Sequence, residues 1–320
     1  MNHSWNITVA LPMTKERREI LEAASPASTF TYVEPGKATE EDVKDADILI
    51  GLISPAICHA AKNCVWYQAN AAGPDAYVKP GVFPKENVIV TSAVGAYGPA
   101  VGEHMLALTL AAQKNLGLYR DNQNNAIWRD EGRVGTLYNA NVLVLGLGDI
   151  GGTYAKYCAA FGARVVGFRR HKSAILPEGV RMVCTMDELD LYLKDADVVA
   201  MCLPGSKETY HVIDERRLSL MKPTAVLVNC GRGNAVDCMA LAAALRERRI
   251  FAAGLDVTEP EPLPVGHPLW SEKHCILTPH SAGWFHMDET VDRIVRIAAE
   301  NLRHFERGET MKNVMTGARG

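Results

Sequence analysis

An arginine, a glutamate and a histidine stand just beyond three successive apolar runs of this chain, and together they are the groups that reduction of a 2-oxo acid requires. Asn229-Cys230-Gly231-Arg232-Gly233 ends the first run, Leu255 to Pro262 the second, and Thr278-Pro279-His280-Ser281-Ala282-Gly283 the third. Open α/β sheets bind ligands outside the carboxyl ends of their strands, so all three segments are expected to face one ligand. A guanidinium fork holds a carboxylate through paired charge-assisted hydrogen bonds. An imidazole protonates a developing alkoxide near neutral pH, and a carboxylate beside it stabilises the imidazolium. Arg232, His280 and Glu261 fit these three roles, with Glu259 a competitor for the last.

A hydride source is implied upstream. Val142-Leu143-Val144-Leu145 runs into Gly146-Leu147-Gly148-Asp149-Ile150-Gly151, a G-x-G-x-x-G between a strand and a helix. The first glycine permits the tight turn, the second lets backbone approach a pyrophosphate, and the third lets helix and strand pack closely. The helix N-terminus supplies free amides and the positive end of a dipole. The next strand ends in Arg169-Arg170-His171-Lys172. A carboxylate at that position selects NAD through the ribose 2′-hydroxyl, whereas a guanidinium suits a 2′-phosphate. The expected cofactor is therefore NADP, with NAD as the weaker partner.

These residues need a scaffold, and the 320 residues suffice for two ordinary domains. Short apolar runs alternate with helical patterns. Strands are expected at Ile7–Leu11, Thr29–Val33, Ile48–Ile53, Val65–Ala69 and Asn87–Thr91, with helices from Thr14 to Ala24 and opening at Glu40. A long, nearly uncharged helix runs from Pro99 to Leu118, apolar on more than one side. A second series carries strands at Val142–Leu145, Arg164–Phe168, Val198–Leu203, Ala225–Asn229, Ala252–Asp256 and Cys275–Thr278. Helices are expected at Gly151–Phe161, Asp237–Arg248 and Asp288–Arg307. The predicted fold class is α/β: two doubly wound, Rossmann-like parallel-sheet domains. The cofactor domain, 98–286, is inserted in a substrate domain made of 1–97 and 287–320.

Composition excludes other classes. A formal net charge of -3 and the lack of a basic stripe argue against nucleic acid. The eight cysteines form neither a C-x-x-C pair nor a zinc spacing, so no metal is expected. Free thiols in apolar runs fit a reducing compartment, most simply the cytoplasm. No signal peptide and no membrane-length apolar run is visible. The apolar long helix, with Trp128 and Tyr138 following it, points to a homodimer.

The glycine fingerprint and the three strand-end segments resemble the D-isomer-specific 2-hydroxyacid dehydrogenases, the family of glyoxylate/hydroxypyruvate reductases. The resemblance spans nearly the whole chain and is strongest from Gly95 to Gly283. It implies that Arg232 binds the substrate carboxylate and carbonyl, that His280 is the acid/base and that Glu261 is its partner. It implies cofactor contacts from Gly146, Gly148, Asp149, Ile150, Gly151, Arg169, Arg170, Leu203, Pro204, Cys230, Gly231, Arg232, Asp256, His280, Ala282 and Gly283, with Asp256 on the nicotinamide carboxamide. Asn70 to Asp75 resembles the family's substrate loop, placing Ala72 and Gly73 with Arg232 and His280 around the substrate. Pro74 departs from the aliphatic residue usual there and removes one amide donor. The implied activity is interconversion of a small 2-oxo acid and its D-2-hydroxy acid. A catalytically weak dinucleotide sensor on the same fold is the alternative. His104, His171, His211, His267, His274 and His304 read as surface or structural. Trp284 either walls the pocket or is an ordinary core tryptophan.

Overall fold

The computed structural model describes residues 3–172 and 175–315. The chain divides into two compact units, one built from Met1–Tyr97 and Phe285–Gly320, the other from Gly98–Trp284.

The first unit holds five parallel strands: β1 (Asn6–Ala10), β2 (Thr29–Tyr32), β3 (Ile48–Gly51), β4 (Trp66–Ala69) and β5 (Ile89–Thr91), in the order β2-β1-β3-β4-β5. Helices α1 (Lys15–Glu22), α2 (Glu40–Val43) and α3 (Pro55–Cys58) connect them. All four residues of β3, Ile-Leu-Ile-Gly, are buried, as a strand covered on both faces requires.

The second unit contains seven parallel strands: β6 (Asn141–Leu145), β7 (Arg164–Arg169), β8 (Val180–Thr185), β9 (Val198–Met201), β10 (Val226–Asn229), β11 (Ala252–Leu255) and β12 (Cys275–Leu277). Their order is β12-β11-β10-β9-β6-β7-β8. Strand order reverses between β6 and β9, the switch point where such sheets open a ligand crevice. Helices α4 (Gly98–Gln113), α5 (Leu116–Asn124), α6 (Asp149–Ala160), α7 (Leu189–Leu193), α8 (Glu215–Leu220) and α9 (Cys238–Arg246) accompany the sheet. Leu143, Leu145, Phe168, Val199, Leu227, Leu255 and the buried face of α9 share one apolar core.

The chain then returns to the first unit as α10 (Asp288–Arg307). Its buried positions, Val291, Ile294, Val295, Ala298 and Leu302, recur every three or four residues. Arg17 on α1 is 5% exposed, and its guanidinium donates to the Asp292 carboxylate at 2.7 Å and the Asp288 carboxylate at 2.8 Å. Asn301 on α10 donates to Gln68 of β4 at 2.9 Å, a buried pair.

The single helix expected from Pro99 to Leu118 is two. Asn115, at φ 56°, turns the chain into the left-handed region between α4 and α5, a conformation asparagine tolerates better than most residues. Its side-chain amide donates to the Arg133 carbonyl at 3.1 Å, tying the break to the arm that follows. Strand β8 and helices α3, α7 and α8 were not foreseen from the sequence pattern.

Candidate active site

The phosphate loop lies at the switch point. Gly146, at φ 95°, follows β6, and a Cβ there would stand 2.8 Å from the Cys202 carbonyl oxygen beyond β9. A Cβ on Gly151 would stand 1.9 Å from the Gly146 carbonyl oxygen. Both positions therefore admit only glycine. Gly148, by contrast, faces open space and caps the N-terminus of the twelve-residue α6. The loop is thus a cradle whose open side meets the free amides of a helix start, which fits a pyrophosphate. Asp149 and Ile150 open that helix half-buried, and the Asp149 carboxylate accepts the Gly98 amide at 2.7 Å. Leu203 and Pro204 follow β9 on the other side of the switch point.

Arg169 ends β7, half-buried, and its guanidinium donates to the Leu147 carbonyl of the phosphate loop at 2.5 Å. Arg170 is exposed beside it. Lys172 does not add a free cation: its ammonium donates to Glu188 at 3.0 Å. The Thr185 amide, then Lys172 and the Thr185 hydroxyl, hold the Glu188 carboxyl down at about 2.

Strands β10, β11 and β12 are neighbours and parallel, so the segments carrying Arg232, Glu261 and His280 leave the same edge of one sheet. Asn229, fully buried at the end of β10, accepts the Gly231 amide at 3.0 Å and donates to the Arg232 carbonyl at 2.9 Å. This clamp fixes the turn on which Arg232 stands. A Cβ on Gly233 would stand 1.8 Å from the Thr258 carbonyl oxygen, so the chain beyond Arg232 lies directly on the loop carrying Glu261.

His280 Nδ1 lies 2.5 Å from Glu261 Oε1. With Nδ1–H donating to the carboxylate, Nε2 is the nitrogen left to exchange a proton with a ligand. Glu259 goes elsewhere: its carboxylate lies 3.0 Å from His211 Nε2. Two glutamates two residues apart thus lie against two different histidines, and His211 takes the structural role of the two left open for it.

His280 itself has φ 51°, a sparsely populated region for a residue with a side chain. Asp256, 3% exposed, holds that conformation. Its carbonyl accepts the His280 amide at 2.8 Å. Its carboxylate accepts the Ser281 amide at 2.9 Å and the Thr278 hydroxyl at 2.6 Å on one oxygen, and the Ala282 amide at 3.1 Å on the other. A carboxylate oxygen has two lone pairs, so the second oxygen retains one for the carboxamide contact implied above. Thr278 is in turn 3.0 Å from His104 Nε2 on α4. Of the two readings left open for His104, surface or structural, this contact fits the structural one.

Burial pushes the Cys202 thiol up to about 12, and burial followed by the Asp256 charge pushes Cys230 well above the ordinary range. Neither is a thiolate nucleophile at neutral pH. Ala282 and Gly283 are half-buried after the turn, and Trp284 is 50% exposed, which excludes the core-tryptophan reading. In the first unit, Ala72 and Gly73 lie half-buried in the loop that leaves the carboxyl end of β4. Pro74 behind them is buried. Among the described residues no group of three or more histidine, cysteine or acidic side chains could hold a metal, and no helix is long and apolar enough to cross a membrane.

The family model for the NAD binding domain of D-isomer specific 2-hydroxyacid dehydrogenases matches residues 106–282. The match puts the second unit among dinucleotide-dependent oxidoreductases. The chain belongs to the D-isomer specific 2-hydroxyacid dehydrogenase family. A glyoxylate reductase of Korarchaeum cryptofilum is 33% identical over 291 residues, covering 87% of this chain and 85% of that protein. A family member from Aeromonas salmonicida subsp. salmonicida has a similar structure, with TM-score 0.84 and 28% identity over 98% of this chain and 99% of that one. Another, from Xanthobacter autotrophicus in complex with NADPH and MES, has TM-score 0.79 and 26% identity over 98% and 99% of the two chains.

Proposed function

We propose that this dehydrogenase reduces a small 2-oxo acid of the glyoxylate or hydroxypyruvate kind, or a bulkier homologue, to its D-2-hydroxy acid, and that it prefers NADPH to NADH. The observation that carries the reading is the His280–Glu261 contact of 2.5 Å at the strand edge that also bears Arg232. Arg232 binds the substrate carboxylate and orients the neighbouring carbonyl. His280 donates its Nε2 proton to the carbonyl oxygen as negative charge develops there, and Glu261 stabilises the imidazolium through Nδ1. A nicotinamide dinucleotide would supply the hydride when bound: the loop Gly146–Gly151 would hold its pyrophosphate, Leu203, Pro204, Cys230, Gly231 and the 280–283 turn would line its path, and Asp256 would take the carboxamide. In the reverse direction His280 takes the hydroxyl proton.

The resemblance to a glyoxylate reductase supports the substrate class, and the NADPH-bound relative is compatible with the cofactor reading. Arg169 and Arg170 at the end of β7 support NADP. Residues 98–286 act as the cofactor domain, and 1–97 with 287–320 act as the substrate domain. The protein works in the cytoplasm as a homodimer: the fully exposed Trp128, with Leu116 and Tyr138 also exposed, offers apolar surface on α5 and the arm beyond it. The test is a panel of 2-oxo acids assayed with NADPH and NADH in parallel. Reduction of at least one, faster with NADPH, is expected. Cofactor binding without any turnover would leave only a dinucleotide sensor.

A further inference from the structure

We propose that His104 is a positioning residue for the acid–base turn, acting on His280 through Thr278 and Asp256; the inference rests on His280 being the proton donor. The path is a directed chain of hydrogen bonds inside the second unit. The Thr278 hydroxyl donates to Asp256 Oδ1 at 2.6 Å. Its single proton is then committed, so at 3.0 Å its oxygen accepts from His104, which must carry its proton on Nε2. The same imidazole nitrogen lies 3.7 Å from Asp256 Oδ1.

Asp256 is the hub that this donor steadies. Removed from water, its carboxylate depends on its hydrogen-bond donors, and two of them, the Ser281 and Ala282 amides, belong to the residues just beyond His280. Those bonds and the His280 amide bond to the Asp256 carbonyl keep His280 at its left-handed φ. Such a conformation persists only where its surroundings over-determine it. Without His104 the Thr278 oxygen loses its donor, the hydroxyl is held by its bond to Asp256 alone, and the 278–282 turn is less firmly fixed. His104 stands on α4, a sixteen-residue helix packed against β10, β11 and β12, so the anchor is rigid. It does not touch the reacting atoms; its effect is on where His280 Nε2 points.

The experiment compares His104→Leu, His104→Gln, Thr278→Val and Thr278→Ser in the full-length enzyme. Glutamine places an N–H donor near the former Nε2, and serine keeps the hydroxyl. Three quantities are read: kcat at saturating NADPH, NADPH affinity by fluorescence titration, and amide hydrogen exchange of the peptide spanning 278–283. His104→Leu and Thr278→Val should each lower kcat about tenfold, which is about 1.4 kcal/mol, with NADPH affinity within about threefold of wild type. Both should speed exchange at Ser281 and Ala282. The glutamine and serine variants should restore kcat and protection. Wild-type kcat and exchange in His104→Leu would overturn the proposal. So would an equal loss in His104→Gln, which would assign the effect to packing. If His104→Leu does not fold, the Thr278 pair decides. If the wild type reduces no 2-oxo acid, the functional reading fails and the exchange measurement still judges the hydrogen-bond chain.

Discussion

Replacing Arg169 with leucine tests the cofactor reading most sharply. In the structure its guanidinium is already fixed over the phosphate loop by the Leu147 carbonyl, so the entropy of ordering that long side chain is spent before cofactor arrives. One charge-assisted bond to a phosphate is worth about 1.5–3 kcal/mol, and a tenfold change in binding takes about 1.4 kcal/mol. Arg169 is only half-buried, which favours the lower end. The variant should therefore lose about tenfold to a hundredfold in kcat/KM with NADPH, nearer tenfold, and change little with NADH. Arg170→Ala should lose less, because that side chain is exposed. Lys172→Ala should change the preference less than about twofold, because its ammonium is occupied by Glu188. Steady-state constants for both cofactors in the four proteins, repeated at high salt, give the answer. Equal efficiency of the wild type with NADH and NADPH would refute the reasoning; so would an unchanged preference in Arg169→Leu.

His280→Ala should lower kcat by about 10²–10⁴ with NADPH affinity nearly unchanged by titration, and Glu261→Gln should lose less; wild-type turnover in both would dismiss the pair. Glu188 and Asp190 should together make the second unit acid-sensitive. Both carboxyls are held down at about 2, Glu188 by the Thr185 amide first and Asp190 by Arg216 and Arg217, against ordinary values of 4.5 and 3.8. Folded-state values below the ordinary ones stabilise the protein above that range, and the stabilisation is lost as pH falls from about 4 to about 2. Melting temperature should drop over that window, and less steeply in Glu188→Gln/Asp190→Asn. Light scattering at micromolar concentration should give a dimer mass, and Trp128→Asp should shift it toward monomer; a monomeric wild type would remove the dimer.

Continuous burial and glycine geometry were the readable signals. Strands β9, β10 and β11 are buried at every position, so their apolar runs stood out from their surroundings. The spacing of Gly146, Gly148 and Gly151 was readable because steric necessity at two of those positions permits no substitute. Strand β8 was opaque for the opposite reason: it is the last strand of its sheet, with Arg181 and Met182 exposed and a bulge in its pairing with β7. The break at Asn115 hung on one residue in an otherwise unbroken helical pattern. Pairings across the chain left no local trace. His104 and Thr278 are 174 residues apart, and the contacts that occupy Lys172 and Glu259 join separate loops. No spacing rule told Glu259 from Glu261 beside His280; only the family resemblance chose Glu261.

The return of α10 to the first unit has a consequence for synthesis. On the ribosome, the sheet of β1 to β5 emerges first, but Val291, Ile294 and Leu302, which complete its core, follow only after the whole of Gly98–Trp284. At roughly 5–20 residues per second that is a wait of about 10–40 s. Through that interval Arg17 has neither Asp288 nor Asp292, and Gln68 lacks Asn301. The nascent first unit must remain soluble with its helix-binding face open, while the second unit already has all of its sequence and can close its own core. The contacts of α10 with the first unit can thus form only after the whole second unit has been made.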